Sequence, residues 1–203
     1  KTNLAKGKNN LKFNTMKTIQ VNVYKFEELS EAAQQNAYNS NCSVAVFYDW
    51  FESSIEFFKE QLEGKGFESS EIQFSGFYSQ GDGLSFDAEI NASKFAQTIN
   101  EKRVVKLIEN GCVERLTTEK TSVANSNSHE KTRYIGYEPT GTHKLVDDVL
   151  STLHDKIEVI RLELCKEYYS ILEKEYSELQ SFESVKENYI DNDTDFLIDG
   201  TEY

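Results

Sequence analysis

A long helical pattern near the end of the chain constrains the fold more than any other feature. Apolar side chains recur there every third or fourth residue, as on one face of an α-helix: Leu145, Val149, Leu153, Ile157, Ile160, Leu164, Tyr168, Leu172, Tyr176 and Leu179. Pro139 and Gly141 mark a boundary just before it. We therefore expect a long helical region at about 142–180. Such a helix either crosses a whole sheet or packs against a partner as a coiled coil. Packing within the chain is the preferred reading, and a homodimer through this helix is the alternative.

The earlier segments predict an α+β fold with a mostly antiparallel sheet. Thr18–Tyr24 alternates apolar and polar residues in the way of a half-buried strand. Two strands flank the glycine-rich stretch Ser79–Gly83, where the Asp82-Gly83 pair favours the positive φ of a tight hairpin turn. Segments 112–123 and 131–138 predict another strand pair. We expect about five strands in one sheet, packed by helices that include the long C-terminal one.

Three helices are expected ahead of the long one, at 27–39, 44–62 and 92–111. Ser30 is the expected N-cap of the first, and Gly64 or Gly66 supplies the left-handed end of the second. The second helix carries an aromatic stripe: Phe47, Trp50, Phe51, Phe57 and Phe58. Such a stripe is more often core than an exposed groove for a partner, and we expect it to pack across the 74–90 hairpin.

The charge of the chain restricts the classes of partner. Its formal net charge of −13 disfavours direct binding to a nucleic-acid backbone, which needs clustered Lys and Arg, and a basic protein surface is the more natural partner. The acidic surplus either solvates the surface, which is the preferred interpretation, or mimics nucleic acid. The sequence has no apolar run long enough for a membrane span, so we expect no membrane contact.

Composition also suggests where the domain begins and in which compartment it works. Residues 1–15 are basic, Asn-rich and without apolar periodicity, so we expect a disordered extension ahead of Met16 as a translation start. Residues 16–203 are expected to form a single α+β domain that ends in a small hairpin at about 193–203. The cysteines are odd in number and widely spaced, which favours a reducing cytoplasm: Cys42, Cys112 and Cys165.

Six neighbouring residues are the candidate ligand- or partner-binding site: Tyr78, Ser79, Gln80, Gly81, Asp82 and Gly83. They place a hydroxyl, an amide and a carboxylate beside flexible backbone, which suits a polar ligand, an anion or a protein contact. The alternative is a hairpin whose polar side chains bond to their own turn. The stretch is not a phosphate-binding P-loop, because the Gly-Lys-Ser/Thr ending is absent.

No pattern nominates a reaction or a metal. His129, His143 and His154 lie far apart and form no H-E-x-x-H motif, and no serine lies in a G-x-S-x-G elbow. Asp82 and the strand carboxylates Asp87 and Glu89 are conceivable ligands of a hard cation, but solvated carboxylates are the preferred reading. We expect no metal, no cofactor and a non-enzymatic role, with a novel enzyme left open.

The glycine-rich stretch carries a resemblance to a known group of proteins. Its residues match the pattern G-F-x-S-Q-G-D-G-x-x-F: Gly76-Phe77, Ser79-Gln80-Gly81-Asp82-Gly83 and Phe86. This pattern resembles the signature of a group of small bacteriophage-encoded proteins of unknown function. The segment Val23–Ser30 with Ala32 and Ala33 is similar to the opening of that group, and Phe196 with Asp199-Gly200 to its closing segment. The resemblance implies a viral origin and no chemistry.

We therefore expect a phage-encoded, non-enzymatic protein of the host cytoplasm that binds and modulates a host protein, with a defence protein as one candidate target. Two alternatives stay open. The first is a protein that sequesters a small molecule or nucleotide in a pocket at the glycine-rich hairpin. The second is an acidic mimic of nucleic acid that inhibits a host enzyme acting on DNA or RNA.

Overall fold

The computed structural model describes residues 19–111, 113–120, 133–139 and 144–203. The basic extension 1–15, Met16, Cys112, His129 and His143 lie outside the described residues. The described residues form two compact units, one built from residues 19–41 together with Lys186–Tyr203, the other from those between Cys42 and Val185. The expectation of a single domain over 16–203 stays a prediction.

The elements follow one another in an α+β order, as expected. They are β1 (Tyr24–Lys25), a 3-10 turn (Phe26–Glu28), α1 (Glu31–Ser40), α2 (Glu52–Gly64), β2 (Phe67–Phe74), β3 (Leu84–Ile90), α3 (Ala92–Thr98), α4 (Lys102–Glu109), β4 (Val113–Lys120), β5 (Arg133–Pro139), α5 (Lys144–Leu179), α6 (Phe182–Asp191) and β6 (Asp195–Phe196). The α+β class and the antiparallel hairpins are confirmed.

The expected sheet of about five strands is wrong in its strand count. Among its described residues, the larger unit has four antiparallel strands in the order β2-β3-β4-β5. The first predicted strand does not join them, because in its described part, from residue 19 on, strand structure begins only at Tyr24, and Tyr24–Lys25 pairs with β6 in a separate two-stranded sheet. There the Phe26 ring packs on Tyr189 and Phe196, with centroids 5.5 and 5.8 Å away. The smaller unit therefore has its own aromatic core.

The long helix is confirmed and is continuous over 36 residues. Its buried face packs on α2, β3 and α3 through a shared core: Phe58, Leu62, Phe67, Phe86, Phe95, Leu153, Ile157, Leu164, Tyr168 and Leu172. Among these core positions of α5 lies Arg161, which is fully buried. Its Nε and Nη2 donate to the two carboxylate oxygens of Glu158 at 2.9 and 2.7 Å, so the buried charge is paired. Packing within the chain thus buries Leu153, Ile157, Leu164, Tyr168 and Leu172 of α5.

The predicted helices differ from the observed ones mainly at their ends. Ser30 is confirmed as the N-cap of α1, since its Oγ accepts the Ala33 N–H at 3.3 Å. Gly66, with φ +94°, follows the end of α2. Residues 42–51 form turns instead of the expected first helical turns of α2. The expected helix 92–111 is two helices, because Asn100 adopts the left-handed φ of +58° between them.

Candidate functional site

The candidate site lies in the connection between β2 and β3, residues 75–83. The Ser75 N–H donates to the Gly83 carbonyl at 3.0 Å, and the Gly83 N–H donates to the Ser75 Oγ at 3.2 Å. The predicted hairpin is therefore confirmed, but the prediction of a tight turn with positive φ at Asp82-Gly83 is wrong. Positive φ occurs elsewhere among the described residues: Gly66, Ser69, Asn100, Gly111, Asp193 and Gly200. A longer loop that closes through Ser75 needs no left-handed residue at its end.

The Asp82 carboxylate organises this loop. Its Oδ2 accepts the backbone N–H groups of Tyr78 and Ser79 at 2.9 and 2.6 Å, and the Asp82 N–H donates to the Ser79 carbonyl at 3.0 Å. A Cβ at Gly76 would lie 3.3 Å from the same Oδ2, so glycine leaves room for the carboxylate. The side chains of Ser79 and Gln80 are exposed. For Asp82, this geometry favours the alternative in which the side chain forms hydrogen bonds within its own turn.

Gln180 attaches the loop to the region beyond the end of α5. The Tyr78 hydroxyl donates to Gln180 Oε1 at 3.1 Å. On the other side of the same amide, Nε2 donates to Ser43 Oγ at 2.9 Å and to the Tyr176 hydroxyl oxygen at 3.2 Å. One amide therefore joins the loop, the turn segment before α2 and the end of α5.

An aromatic cluster lies beneath the loop. We give this name to six side chains: Trp50, Phe51, Phe74, Phe77, Tyr169 and Tyr176. The Tyr176 ring lies 5.5 Å from Trp50 and 5.2 Å from Phe77, and the Phe77 ring lies 5.3 Å from Tyr169. The Tyr169 hydroxyl also donates to the Gly76 carbonyl at 3.0 Å. The cluster fixes the position of the loop on α5 through both ring packing and a hydrogen bond.

The part that α5 plays in this site was not predicted from the sequence. Tyr176 was predicted only as one of the periodic residues of a long helix, and Gln180 was not singled out. The available signal was the change from aliphatic residues to Tyr168, Tyr169 and Tyr176 in the last turns of the helical pattern. Aromatic residues with a polar tip are typical of places where one end of the side chain is buried and the other meets water or a partner.

Of the side chains that the structure describes around the cluster, three aromatic ones remain exposed, and we call them the aromatic surface: Phe47, Tyr48 and Tyr78, with 60%, 97% and 78% of their surface exposed. Phe47 and Tyr48 lie in the turn segment that contacts Gln180 through Ser43 and Tyr176 through Trp50. The expectation that the aromatic stripe is core is therefore right for Phe58 but wrong for Phe47 and for Phe57, which is 52% exposed. The segment that carries Phe47 is not helical, so helical spacing does not decide which of its side chains are buried. Phe57 lies within α2 beside the buried Phe58, and adjacent residues of a helix point to different faces.

The surroundings of the aromatic surface are acidic. Asp49 and Glu52 are exposed beside it. Glu175 accepts a hydrogen bond from Ser54 Oγ at 2.6 Å, and Glu178 lies 3.7 Å from Lys174. Among the residues that the structure describes, no group of three or more His, Cys, Asp or Glu side chains is arranged to hold a metal ion. In the same part of the chain, no helix is long and apolar enough to cross a membrane.

A family model of a domain of unknown function, DUF8835, matches residues 50–181. The chain belongs to the DUF8835 family. The DUF8835 match begins at Trp50 and ends just after Gln180, so it contains the whole aromatic cluster, the loop and the amide that joins them. Phe47, Tyr48 and the smaller unit lie outside it. Comparisons with curated proteins and with solved structures gave no match.

Proposed function

We propose that this DUF8835 protein is a phage-encoded, non-enzymatic protein that binds and modulates a protein in the cytoplasm of the host, using the aromatic surface as its contact site. The resemblance of Gly76–Phe86 to the phage signature supports the origin. One observation carries the contact site: Tyr78 is 78% exposed and yet is held by a hydrogen bond to Gln180. Its ring also lies 6.3 Å from Tyr176.

A fixed, exposed aromatic side chain is well suited to bind a protein. Tyrosine is enriched among the residues that contribute most to binding energy at interfaces. A freely rotating side chain loses conformational entropy on binding, at a cost of about 0.5–1.5 kcal/mol for each immobilised side chain. Tyr78 has lost part of this freedom before any partner arrives, because its two ends are held by the loop and by Gln180.

Charge favours a partner with a basic surface. The whole chain carries −13, and the exposed carboxylates of Asp49 and Glu52 lie close to the aromatic surface. A basic partner is attracted and steered by this field, whereas an acidic one is repelled. Arginine suits the site because a guanidinium both stacks on an aromatic ring and pairs with a carboxylate.

The small-ligand alternative requires a pocket at the loop. Described residues define the walls of four cavities, which lie along α5 or beside β1. Residues Ser79–Gly83 line none of these four. The exposed ring of Tyr78, held by its hydrogen bond to Gln180, supports contact with a protein.

The test is affinity capture from a bacterial host lysate with quantitative mass spectrometry, followed by reconstitution with the purified partner. The wild type is compared with the double variant Tyr48→Ala/Tyr78→Ala and with Phe57→Ala. Phe57 is a matched control, because it is 52% exposed in the same unit but lies outside the aromatic surface. We expect a partner that binds wild type and the Phe57 variant and loses at least tenfold in affinity with the double variant. Equal binding by all three proteins contradicts the proposal.

A further inference from the structure

Three adjoining cavities follow α5 in the larger unit, away from the aromatic surface. Their volumes are about 190, 480 and 310 Å³. Thr152 and Lys156 line both the first and the second, while Ile99 and Ile160 line both the second and the third. Because neighbouring cavities share walls, the three form one groove, which we call the α5 groove.

The floor of the α5 groove is apolar and partly open to water. Val149, Ile160 and Leu164 contribute from α5, and Ile99 contributes from the segment after α3. Val159, which also lines the groove, has 54% of its surface exposed, unlike the buried Ile157 two residues earlier. A partner that covers such an exposed aliphatic side chain stabilises the complex by about 25 cal/mol for each Å² of apolar surface removed from water.

The rim of the groove is mainly acidic. Its described lining includes five carboxylates and three cations. Four of these carboxylates are exposed and follow one another along α5: Asp148, Asp155, Glu163 and Glu167. Among the cations, Lys156 is already paired with Glu101. The remaining charge of the rim is therefore negative, and it favours an occupant that carries Lys or Arg.

We propose that the α5 groove binds an amphipathic α-helix of a partner protein, with apolar residues against the floor and basic residues against the rim. The groove extends from Val149 to Glu167, which is about 27 Å along a helix, so it accommodates about five turns of a bound helix. A second copy of this chain is a poorer occupant, because two acidic rims repel each other in a chain of net charge −13. The groove is separate from the aromatic surface, and this inference does not depend on the proposed function.

The test measures binding of a fluorescent 18-residue peptide of Leu and Lys, designed as an amphipathic helix, by fluorescence anisotropy. A scrambled peptide of the same composition has no apolar face and serves as the peptide control. The protein variants are Val159→Glu, in the groove, and Ile171→Glu, on the same helix outside it. Both positions are exposed and both variants add one negative charge, so non-specific attraction of the basic peptide rises equally in the two.

We expect wild type to bind the amphipathic peptide at least tenfold more tightly than the scrambled one. The Val159 variant should lose at least tenfold in affinity, and the Ile171 variant should keep it. Circular dichroism and melting temperature show whether each variant is folded. The charge-reversal variant Glu163→Lys/Glu167→Lys gives a second readout that leaves the floor intact, and it should weaken the basic peptide and improve binding of the same design with Glu in place of Lys.

Three outcomes overturn the inference. The first is equal binding of the two peptides, or no binding, by wild type. The second is equal binding of the amphipathic peptide by the Val159 and Ile171 variants. The third is a wild-type dimer in sedimentation experiments that the Val159 substitution dissociates, because the groove would then be occupied by a second copy.

Discussion

The ring of Tyr168 lies flat on the ring of Phe58, with centroids 4.2 Å apart and planes only 8° from parallel. Both side chains are buried in the core between α5 and α2. The Tyr168 hydroxyl is buried with them and has no hydrogen-bond partner among the described residues. The ring thus stabilises the core by its packing, while the hydroxyl loses its hydration without compensation.

Replacement of Tyr168 by Phe should therefore stabilise the protein. The substitution keeps the stacked ring and removes the unpaired hydroxyl, and we expect the free energy of unfolding to rise by about 1 kcal/mol. Urea unfolding at neutral pH measures it. Tyr168→Leu is the control for the ring itself, and it should lower stability because it removes the stacking on Phe58. A lower stability of the Phe variant would mean that the hydroxyl has a partner.

The same residue should make stability depend on alkaline pH. Burial, with smaller contributions from Glu167 and Cys165, raises the pKa of Tyr168 from its ordinary value of 10.0 to about 12. Between these two values the unfolded chain loses the tyrosine proton and the folded chain keeps it, so stability decreases as pH rises. Urea unfolding at pH 9 and pH 11.5 should show a larger loss for wild type than for Tyr168→Phe. Equal losses would contradict the raised pKa.

Gly200 should tolerate no side chain. Its φ is +86°, and a Cβ there would clash with the carbonyl oxygen of Ala33. Gly200→Ala should therefore destabilise the smaller unit by more than about 2 kcal/mol. Thermal unfolding measures it, with Gly64→Ala as the control: a Cβ at Gly64 meets nothing within 4 Å at the end of α2. The control should be neutral or stabilising by up to about 1 kcal/mol.

Substitution of Asp82 should lower stability, whereas substitution of its neighbours Ser79 and Gln80 should not. Asp82→Ala removes the acceptor of the Tyr78 and Ser79 N–H groups, so we expect faster hydrogen exchange at these two amides and a loss of about 1–3 kcal/mol. Ser79→Ala/Gln80→Ala should leave stability within about 0.5 kcal/mol, because both side chains are exposed. If this double variant folds and loses partner binding, its side chains contact the partner directly. Retained binding would limit the role of the loop to positioning Tyr78.

The sequence predicted those parts of the fold that depend on periodicity over many residues. The long helix, the α+β class and the strands on both sides of the glycine-rich loop were recognised, since a long repeat averages over local exceptions. Thr18–Tyr24 shows the limit of this signal. Apolar and polar residues do alternate there, but Ile19 is 80% exposed in the structure and lies outside β1. Alternation alone does not specify which neighbouring strand pairs with the segment.

Single-residue conformations were not predictable from local propensity. Asp82-Gly83 has the sequence of a tight turn. The Tyr78 and Ser79 N–H groups nevertheless donate hydrogen bonds to the Asp82 carboxylate, and these bonds stabilise a longer loop. Asn100 interrupts an otherwise helical pattern with a left-handed φ, and the neighbouring residues do not predict this conformation. The site residue Gln180 acts through Tyr78 and Ser43, which are 102 and 137 positions away in the chain, and periodicity carries no information about such contacts.

Because α5 is continuous, it fixes the distance between the α5 groove and the aromatic cluster in the larger unit. From Val159 in the groove to Tyr176 in the aromatic cluster, the helix rises about 26 Å, and a helix does not stretch. A bivalent ligand that binds both the α5 groove and the aromatic surface, which contacts Tyr176 through Trp50 and Gln180, must carry a connection of about that span, and a flexible connection of about 20 residues matches it. Shorter connections would force one of the two contacts to open. A series of tethered ligands of increasing length would therefore show a sharp onset of avidity at that distance.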